Sequence, residues 1–201
     1  MGGQCYDRLL DFFHSKAVDP VALSRGWVKT VFARMPGIVR VNGRPVLVGD
    51  GIKIAKRGRK MPAVKLLHQV SDCNTKPDYI MGHSIQAVSV LVSAAATFFA
   101  VPLSARIHEG LVFTNRDQRT LPKKFLSLVE ALGIAEPVYL VADAYYACHT
   151  MALGLTQTGS HLISRLRQTC VAFEPIPPAK SKRKRGRPRF VWTQDPHLHS
   201  F

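Results

Sequence analysis

Acidic residues are scarce in this chain. It has 13 Asp and Glu against 28 Lys and Arg, which gives a formal net charge of +15. Net charge is informative about partners rather than fold. Nucleic acid is the leading partner, because each phosphate contact made by Lys or Arg releases counterions. An anionic membrane surface is the rival partner.

Paired cysteines are also missing. The four cysteines are Cys5, Cys73, Cys148 and Cys170. None belongs to a CxxC pair, and their spacing predicts no zinc site. We therefore expect reduced thiols in a cytosol-like compartment. The N-terminus carries acids and has no long apolar core, so it is not typical of a signal peptide.

Residues 84–105 contain no charge at all, and this span is long enough to cross a bilayer. It nevertheless holds several serines and Pro102, and it divides naturally near residues 93–96. Two buried strands, 84–92 and 97–107, joined by a tight turn fit this composition better than a membrane helix. We predict no membrane partner.

The chain divides by composition into three parts. Residues 1–36 have apolar positions at helical spacing, with a helix start predicted at Asp19-Pro20. Residues 37–174 are predicted to form an α/β core. Residues 175–201 are Pro-rich and basic, which is typical of a disordered tail.

Within the core, apolar runs alternate with amphipathic ones. The turn signal Asn42-Gly43 precedes a first strand, which runs through Asp50 towards Ile54. The predicted order is three strands, a helix over 116–132, a strand, a helix over 144–155 and a last strand over 161–171. Helical crossovers make the later strands parallel to the first.

Two of these strands have an aspartate at the C-terminal tip of their apolar run. The runs are Pro45–Asp50 and Val138–Asp143. If the strands are neighbours, their backbones lie about 4.8 Å apart, close enough for Asp50 and Asp143 to share a divalent cation. Carboxylates this close repel unless a metal or proton neutralises them. The alternative is that each aspartate only caps a turn or helix.

A basic stretch follows the first aspartate. Its glycine, Gly58, would let the backbone approach a phosphate, whereas a plain solvated turn is the alternative. Its candidate DNA-binding residues are Lys53, Lys56, Arg57, Arg59 and Lys60.

Three segments in this order resemble the core of a DDE transposase. They are Val48-Gly49-Asp50-Gly51-Ile52-Lys53 with the basic stretch, Gly82-His83-Ser84-Ile85-Gln86, and Val141-Ala142-Asp143-Ala144-Tyr145-Tyr146. The resemblance is to the insertion-sequence group related to the IS4 and IS701 families. It covers roughly residues 5–190.

The resemblance implies a ribonuclease-H-like mixed sheet with flanking helices. It also implies DNA strand cleavage and transfer with two Mg²⁺ (or Mn²⁺) ions bound by oxygen ligands. Asp50 matches the first acid and Asp143 the second. The implied partners are transposon-end and target DNA, with a homodimer in the DNA complex, in the bacterial cytoplasm at the nucleoid.

The third acid of the family has no match. Glu174 adjoins the Pro-rich linker, and Asp195 lies in a stretch without helical pattern. We therefore expect a truncated transposase that lacks full catalytic competence. A complete nuclease would need another acid near the pair, for which Glu109 is the interior candidate.

The basic tail supports a non-enzymatic alternative. Arg-Gly-Arg at 185–187 resembles an AT-hook, which lies along a narrow A·T-rich minor groove. The protein would then be a DNA-binding module or a transposition inhibitor. The candidate DNA-binding residues of the tail are Lys182, Arg183, Lys184, Arg185, Arg187 and Arg189.

Three further residues flank the candidate site. His83 is predicted to be a core or turn histidine, with substrate contact as the alternative. Of Tyr145 and Tyr146, which follow Asp143, we expect one to pack in the core and the other to stack on DNA.

Overall fold

The computed structural model describes residues 8, 11–12, 15–58, 63–68, 77–108 and 119–166. The chain divides into two compact units, Met1–Arg165 and Leu166–Phe201, and every element below belongs to the first. The segment boundaries predicted at 36/37 and 174/175 stay predictions.

Helix α1 spans Pro20–Arg34 and begins where the sequence predicts. The Asp19 carboxylate accepts hydrogen bonds from the backbone N–H groups of Val21 (2.8 Å) and Ala22 (3.2 Å). It thus satisfies two donors that the first helical turn leaves unpaired, and Pro20 needs none. The indole of Trp27 donates to the carbonyl of Pro102 at 2.8 Å, which ties the helix to the sheet.

Strands β1 (Arg40–Val41) and β2 (Arg44–Ala55) form the predicted hairpin. Asn42 and Gly43 have φ of 48° and 77°, as a two-residue hairpin loop requires. Strand β2 runs through Asp50, as the sequence predicts. The strand continues for five residues because Gly51–Ala55 keep pairing with the next strand.

The uncharged span forms strands. β3 (Lys65–His68) is followed by β4 (Tyr79–Ala94) and β5 (Thr97–His108). The tight turn between β4 and β5 falls at 95–96, within the region that the composition indicates. Among the described residues, no helix is long and apolar enough to cross a membrane.

Helix α2 (Leu121–Ala131) precedes β6 (Tyr139–Ala142), and α3 (His149–Gln157) precedes β7 (His161–Ile163). Both helices begin later than the sequence predicts. Residues 144–148 form turns rather than helix, because the backbone N–H of Tyr146 bonds to the carbonyl of Asp143 at 3.0 Å and draws Tyr146 inward.

The described strands join in one mixed sheet ordered β3-β4-β2-β6-β7, with β1 on β2 and β5 on β4. β4 is antiparallel to β2, whereas β6 and β7 are parallel to it. A central strand flanked by antiparallel strands on one side and helix-connected parallel strands on the other is the ribonuclease-H-like arrangement. This prediction of the fold is confirmed.

The core lies where α2 and α3 cover the sheet. Phe125 and Met151 are fully buried on the helices, and they pack with Leu47 of β2 and Leu140 of β6. Since β2 and β6 are both anchored in this core, the ends of their apolar runs are held at fixed positions.

Candidate active site

The pairing of β2 with β6 brings the two predicted acids together. The parallel register runs from Val46↔Tyr139 to Gly49↔Ala142. Asp50 is the next residue of β2, and Asp143 directly follows β6, so their backbones lie side by side at about the 4.8 Å spacing of paired strands. Both side chains are exposed.

Short local hydrogen bonds orient each carboxylate. Oδ1 of Asp50 accepts from the N–H of Gly51 at 2.6 Å, and Oδ1 of Asp143 accepts from the N–H of Tyr145 at 3.1 Å. Neither Oδ2 accepts a hydrogen bond from the part of the chain that the structure describes. Among the described residues, each exposed acid therefore has one oxygen without a hydrogen bond.

Both acids line one cavity of about 450 Å³. Its wall combines the two carboxylates with lysines, small polar groups and aromatic rings. The lining residues are Asp50, Gly51, Lys53, Lys65, Leu66, Leu67, His68, Ser84, Gln86, Leu121, Asp143, Tyr145 and Tyr146.

The two tyrosines after Asp143 differ in environment. Tyr146 is 3% exposed and packs against Phe125 at a ring distance of 4.5 Å, whereas Tyr145 is 44% exposed. Their rings meet edge to face at 5.3 Å. Tyr146 is thus the one that packs, and stacking of Tyr145 on DNA stays a prediction.

Tyr146 is electrostatically coupled to the acid pair. Burial raises the pKa of its phenol, a hydrogen bond from Gln86 lowers it, and the negative charges of Asp143 and Asp50 raise it further, to about 12. The phenol stays protonated throughout the physiological pH range.

The donor set suits a hard cation. Two carboxylates with free oxygens are ligands of the kind that Mg²⁺ and Mn²⁺ take in proteins, with waters completing the shell. No group of three His, Cys, Asp or Glu side chains that could hold a metal occurs among the described residues. Glu109, Glu174 and Asp195 lie outside them.

The predicted DNA-binding residues are described only in part. Lys53 is exposed and donates to the carbonyl of His68 at 2.7 Å, Lys56 is half-buried, and Arg57 is exposed. Arg59, Lys60 and the six tail residues from Lys182 to Arg189 lie outside the described residues.

Sequence reasoning missed three residues of the cavity wall. Gln86 is 2% exposed, Ser84 is 7% exposed, and Lys65 is half-buried. A glutamine in the middle of a long uncharged strand was the available signal for Gln86. His83 is buried at 8% exposure, in agreement with its predicted core position.

A search among curated proteins found no match. Among solved structures, the chain resembles a piggyBac transposase in a synaptic complex with hairpin DNA, with 16% identity and a TM-score of 0.42. That likeness covers 86% of this chain but 34% of the transposase chain, so the protein spans about a third of that neighbour's length.

The sequence also matches a family profile described as DDE superfamily endonuclease, over residues 1–198. The resemblance to DDE enzymes is confirmed at this level, while the IS4/IS701 subgroup stays a prediction. Because the match spans nearly the whole sequence, the chain belongs to the DDE superfamily endonuclease family.

Proposed function

We propose that the protein acts on DNA as a transposase, by metal-dependent strand cleavage and transfer with Asp50 and Asp143 as the metal ligands. The observation that carries this proposal is the parallel register ending at Gly49↔Ala142, which sets the two acids side by side. Membership of the DDE endonuclease family supports the reaction class.

Each acid has a defined role in this proposal. The Oδ1 atoms of Asp50 and Asp143 accept hydrogen bonds from backbone N–H groups, which orient the two side chains that would hold the metal. A divalent cation bound there would activate the attacking oxygen and stabilise the leaving oxygen. Without a cation, the two neighbouring negative charges would repel each other.

DNA is the proposed substrate because cations extend along β2 beyond the acids. Lys53 lines the same cavity as Asp50, and Lys56 and Arg57 follow it. The proposal includes Arg59, Lys60 and the basic tail as further phosphate contacts, with a homodimer on the DNA at the nucleoid.

Catalytic incompleteness is a separate part of the proposal. A two-metal site held by two carboxylates is under-ligated, since Mg²⁺ requires near-octahedral oxygen coordination. We therefore expect the chain alone to bind the cation and to nick DNA weakly.

Metal binding provides the first test. Electron paramagnetic resonance counts free Mn²⁺ during a titration of the wild-type protein, Asp50→Asn and Asp143→Asn. Either substitution should weaken binding by at least about 100-fold, because a ligand worth several kcal/mol is lost. Asp78→Asn, which changes an exposed acid outside the cavity, is the matched control. Unchanged Mn²⁺ affinity in Asp50→Asn would sink the proposed site.

Nicking of supercoiled plasmid in Mg²⁺ or Mn²⁺ provides the second test. Weak nicking that disappears in Asp50→Ala supports both the site and its incompleteness. Robust nicking that disappears in Asp50→Ala keeps the site but refutes incompleteness. Nicking that persists in both aspartate variants refutes the assignment of the acids. DNA binding that needs only residues 180–189, without any metal effect, would favour the non-catalytic alternative.

A further inference from the structure

The turn after β6 fixes the orientation of Asp143. The carbonyl of Asp143 accepts hydrogen bonds from the backbone N–H of Tyr146 at 3.0 Å and from the hydroxyl of Ser164 at 2.7 Å. Its carboxylate accepts a hydrogen bond from the N–H of Tyr145 at 3.1 Å. The direction in which this acid points therefore depends on the path of the chain through the turn.

The side chain of Tyr146 reaches from this turn to the neighbouring strand β2. Its phenol oxygen lies 3.0 Å from the position of a Cβ at Gly51, the residue that follows Asp50. Its ring packs at 4.5 Å on Phe125, which is fully buried on α2. One side chain thus connects the turn of the second acid with the strand of the first.

Gln86 holds the far end of that side chain. It pairs directly with Gly51 in the register of β2 and β4, and its Nε2 donates to the phenol oxygen of Tyr146 at 2.9 Å. The same amide group donates to the carbonyl of Leu121 at the start of α2. Because Gln86 is buried, these hydrogen bonds lie in a low-dielectric environment that strengthens them. The phenol is therefore held at a fixed position beside β2.

A rigid arrangement of this kind matters for a cation site. Mg²⁺ is small and requires near-ideal octahedral geometry, whereas Ca²⁺ is larger and accepts variable geometry. Two carboxylates from separate segments favour the smaller ion only if their separation is held. Gln86 and Tyr146 line the same cavity as the two acids, and they connect the segments that carry them.

We infer that Gln86 and Tyr146 are positioning residues whose hydrogen bond fixes the turn of Asp143 relative to Asp50, and that this makes the site select Mg²⁺ or Mn²⁺ over the larger Ca²⁺. The inference rests on the proposed function for the metal site itself. Neither residue has to touch the cation or DNA in this role, because both act through the separation of the two acids. A pair that only filled the core would change stability and leave the preference between cations unaltered.

Cation competition tests the selectivity. Electron paramagnetic resonance counts the free Mn²⁺ that Mg²⁺ or Ca²⁺ displaces from the protein. In Tyr146→Phe, which keeps the ring and removes the hydroxyl, Mg²⁺ affinity should fall about fivefold, the factor expected for one hydrogen bond. Ca²⁺ affinity should fall by less than about twofold, because this ion tolerates a looser site. Gln86→Met should give the same pattern. Tyr139→Phe, which removes a phenol from β6 outside the cavity, should change neither affinity.

A double-mutant cycle shows whether the two side chains act together. If their hydrogen bond is responsible, Tyr146→Phe combined with Gln86→Met should lose about as much Mg²⁺ affinity as either single variant. Additive losses would contradict the inference, and so would equal falls in Mg²⁺ and Ca²⁺ affinity or an unchanged Mg²⁺ affinity in Tyr146→Phe. If Gln86→Met does not fold, the comparison of Tyr146→Phe with Tyr139→Phe still decides.

Hydrogen exchange in the metal-free protein separates this inference from the proposed function. The amide of Tyr145, which donates to the carboxylate of Asp143, should exchange about fivefold faster in Tyr146→Phe and at the wild-type rate in Tyr139→Phe. An unchanged rate in Tyr146→Phe would overturn the inference whatever the cations do. A faster rate together with Mn²⁺ binding that ignores Asp50→Asn would refute the proposed metal site, while the positioning of Asp143 by Tyr146 would stand.

Discussion

Gln86 donates a 2.9 Å hydrogen bond from Nε2 to the phenol oxygen of Tyr146, and this bond joins β4 to the turn after Asp143. The same Nε2 also donates a hydrogen bond to the carbonyl of Leu121 at 3.1 Å. Since both amide hydrogens are used, the phenol oxygen acts as acceptor and its own proton remains available. The buried Oε1 of Gln86 accepts no hydrogen bond within the described residues.

This pair also restricts the neighbouring strand. A Cβ at Gly51 would lie 3.0 Å from the phenol oxygen of Tyr146, tighter than ordinary van der Waals contact. Glycine at position 51 therefore leaves room for the Tyr146 ring beneath the acid pair. A larger residue at position 51 would force either itself or Tyr146 to move. The buried phenol, in turn, experiences the charge of both acids.

The first prediction concerns the ionisation of Tyr146. Asp50→Asn and Asp143→Asn should each move its titration midpoint down from about 12, because each removes a negative charge that raises the pKa. The midpoint should stay above the ordinary 10.0, because burial is the larger cause. Tyrosinate absorbance measures it, and Tyr146→Phe should remove one late-titrating group of the chain's 5 tyrosines.

The same pKa links Tyr146 to stability at high pH. A group whose folded pKa lies above its unfolded value stabilises the fold fully below the unfolded pKa, and this contribution disappears between about pH 10 and 12. In Tyr146→Phe, the free energy of unfolding should fall by at most about 2 kcal/mol less over this pH range than in the wild-type protein. An unchanged titration in both aspartate variants would show that the acids do not act on Tyr146.

The second prediction concerns the glycine before Asp50. A Cβ at Gly49 would overlap the ring of Phe125, which is fully buried on α2. Gly49→Ala should therefore lower the free energy of unfolding by about 1–3 kcal/mol, the usual cost of overpacking a core. Urea unfolding measures the loss, with the midpoint falling at an unchanged slope.

Two variants control for the effect of alanine itself. Gly26→Ala in α1 meets no atom within 4 Å and should stabilise the helix by about 0.5–1 kcal/mol. Phe125→Leu combined with Gly49→Ala should show favourable coupling of about 1 kcal/mol, because the smaller side chain relieves the overlap. Additive losses would mean that Phe125 does not limit the size of residue 49.

Local sequence patterns predicted the features that depend on neighbouring residues. The Asn42-Gly43 turn, the helix start at Asp19-Pro20 and the two apolar strands all follow from the chemistry of a few adjacent positions. Parallel pairing followed from the helical crossovers. The acid pair was predictable for this reason, since two strand runs and one topological rule place Asp50 beside Asp143.

Features that depend on distant residues were not predictable. Gln86 and Tyr146 are 60 positions apart, so their hydrogen bond leaves no local pattern. The late start of α3 depends on the burial of Tyr146, and the pKa of Lys65 is lowered first by burial and then by the charge of Lys124 on α2.

The third prediction concerns the turn between β4 and β5. Ala95 and Ala96 have φ of 47° and 65°, and left-handed backbone costs an alanine roughly 1–2 kcal/mol. Replacing both with Asn-Gly, which suits such turns at 42–43, should raise the free energy of unfolding by about 1–2 kcal/mol. Ala94→Gly, one position earlier in regular strand, should instead lower it by about 0.5–1 kcal/mol. Thermal unfolding measures the change in stability of both variants. If both variants change stability in the same direction, residues 95 and 96 are not strained.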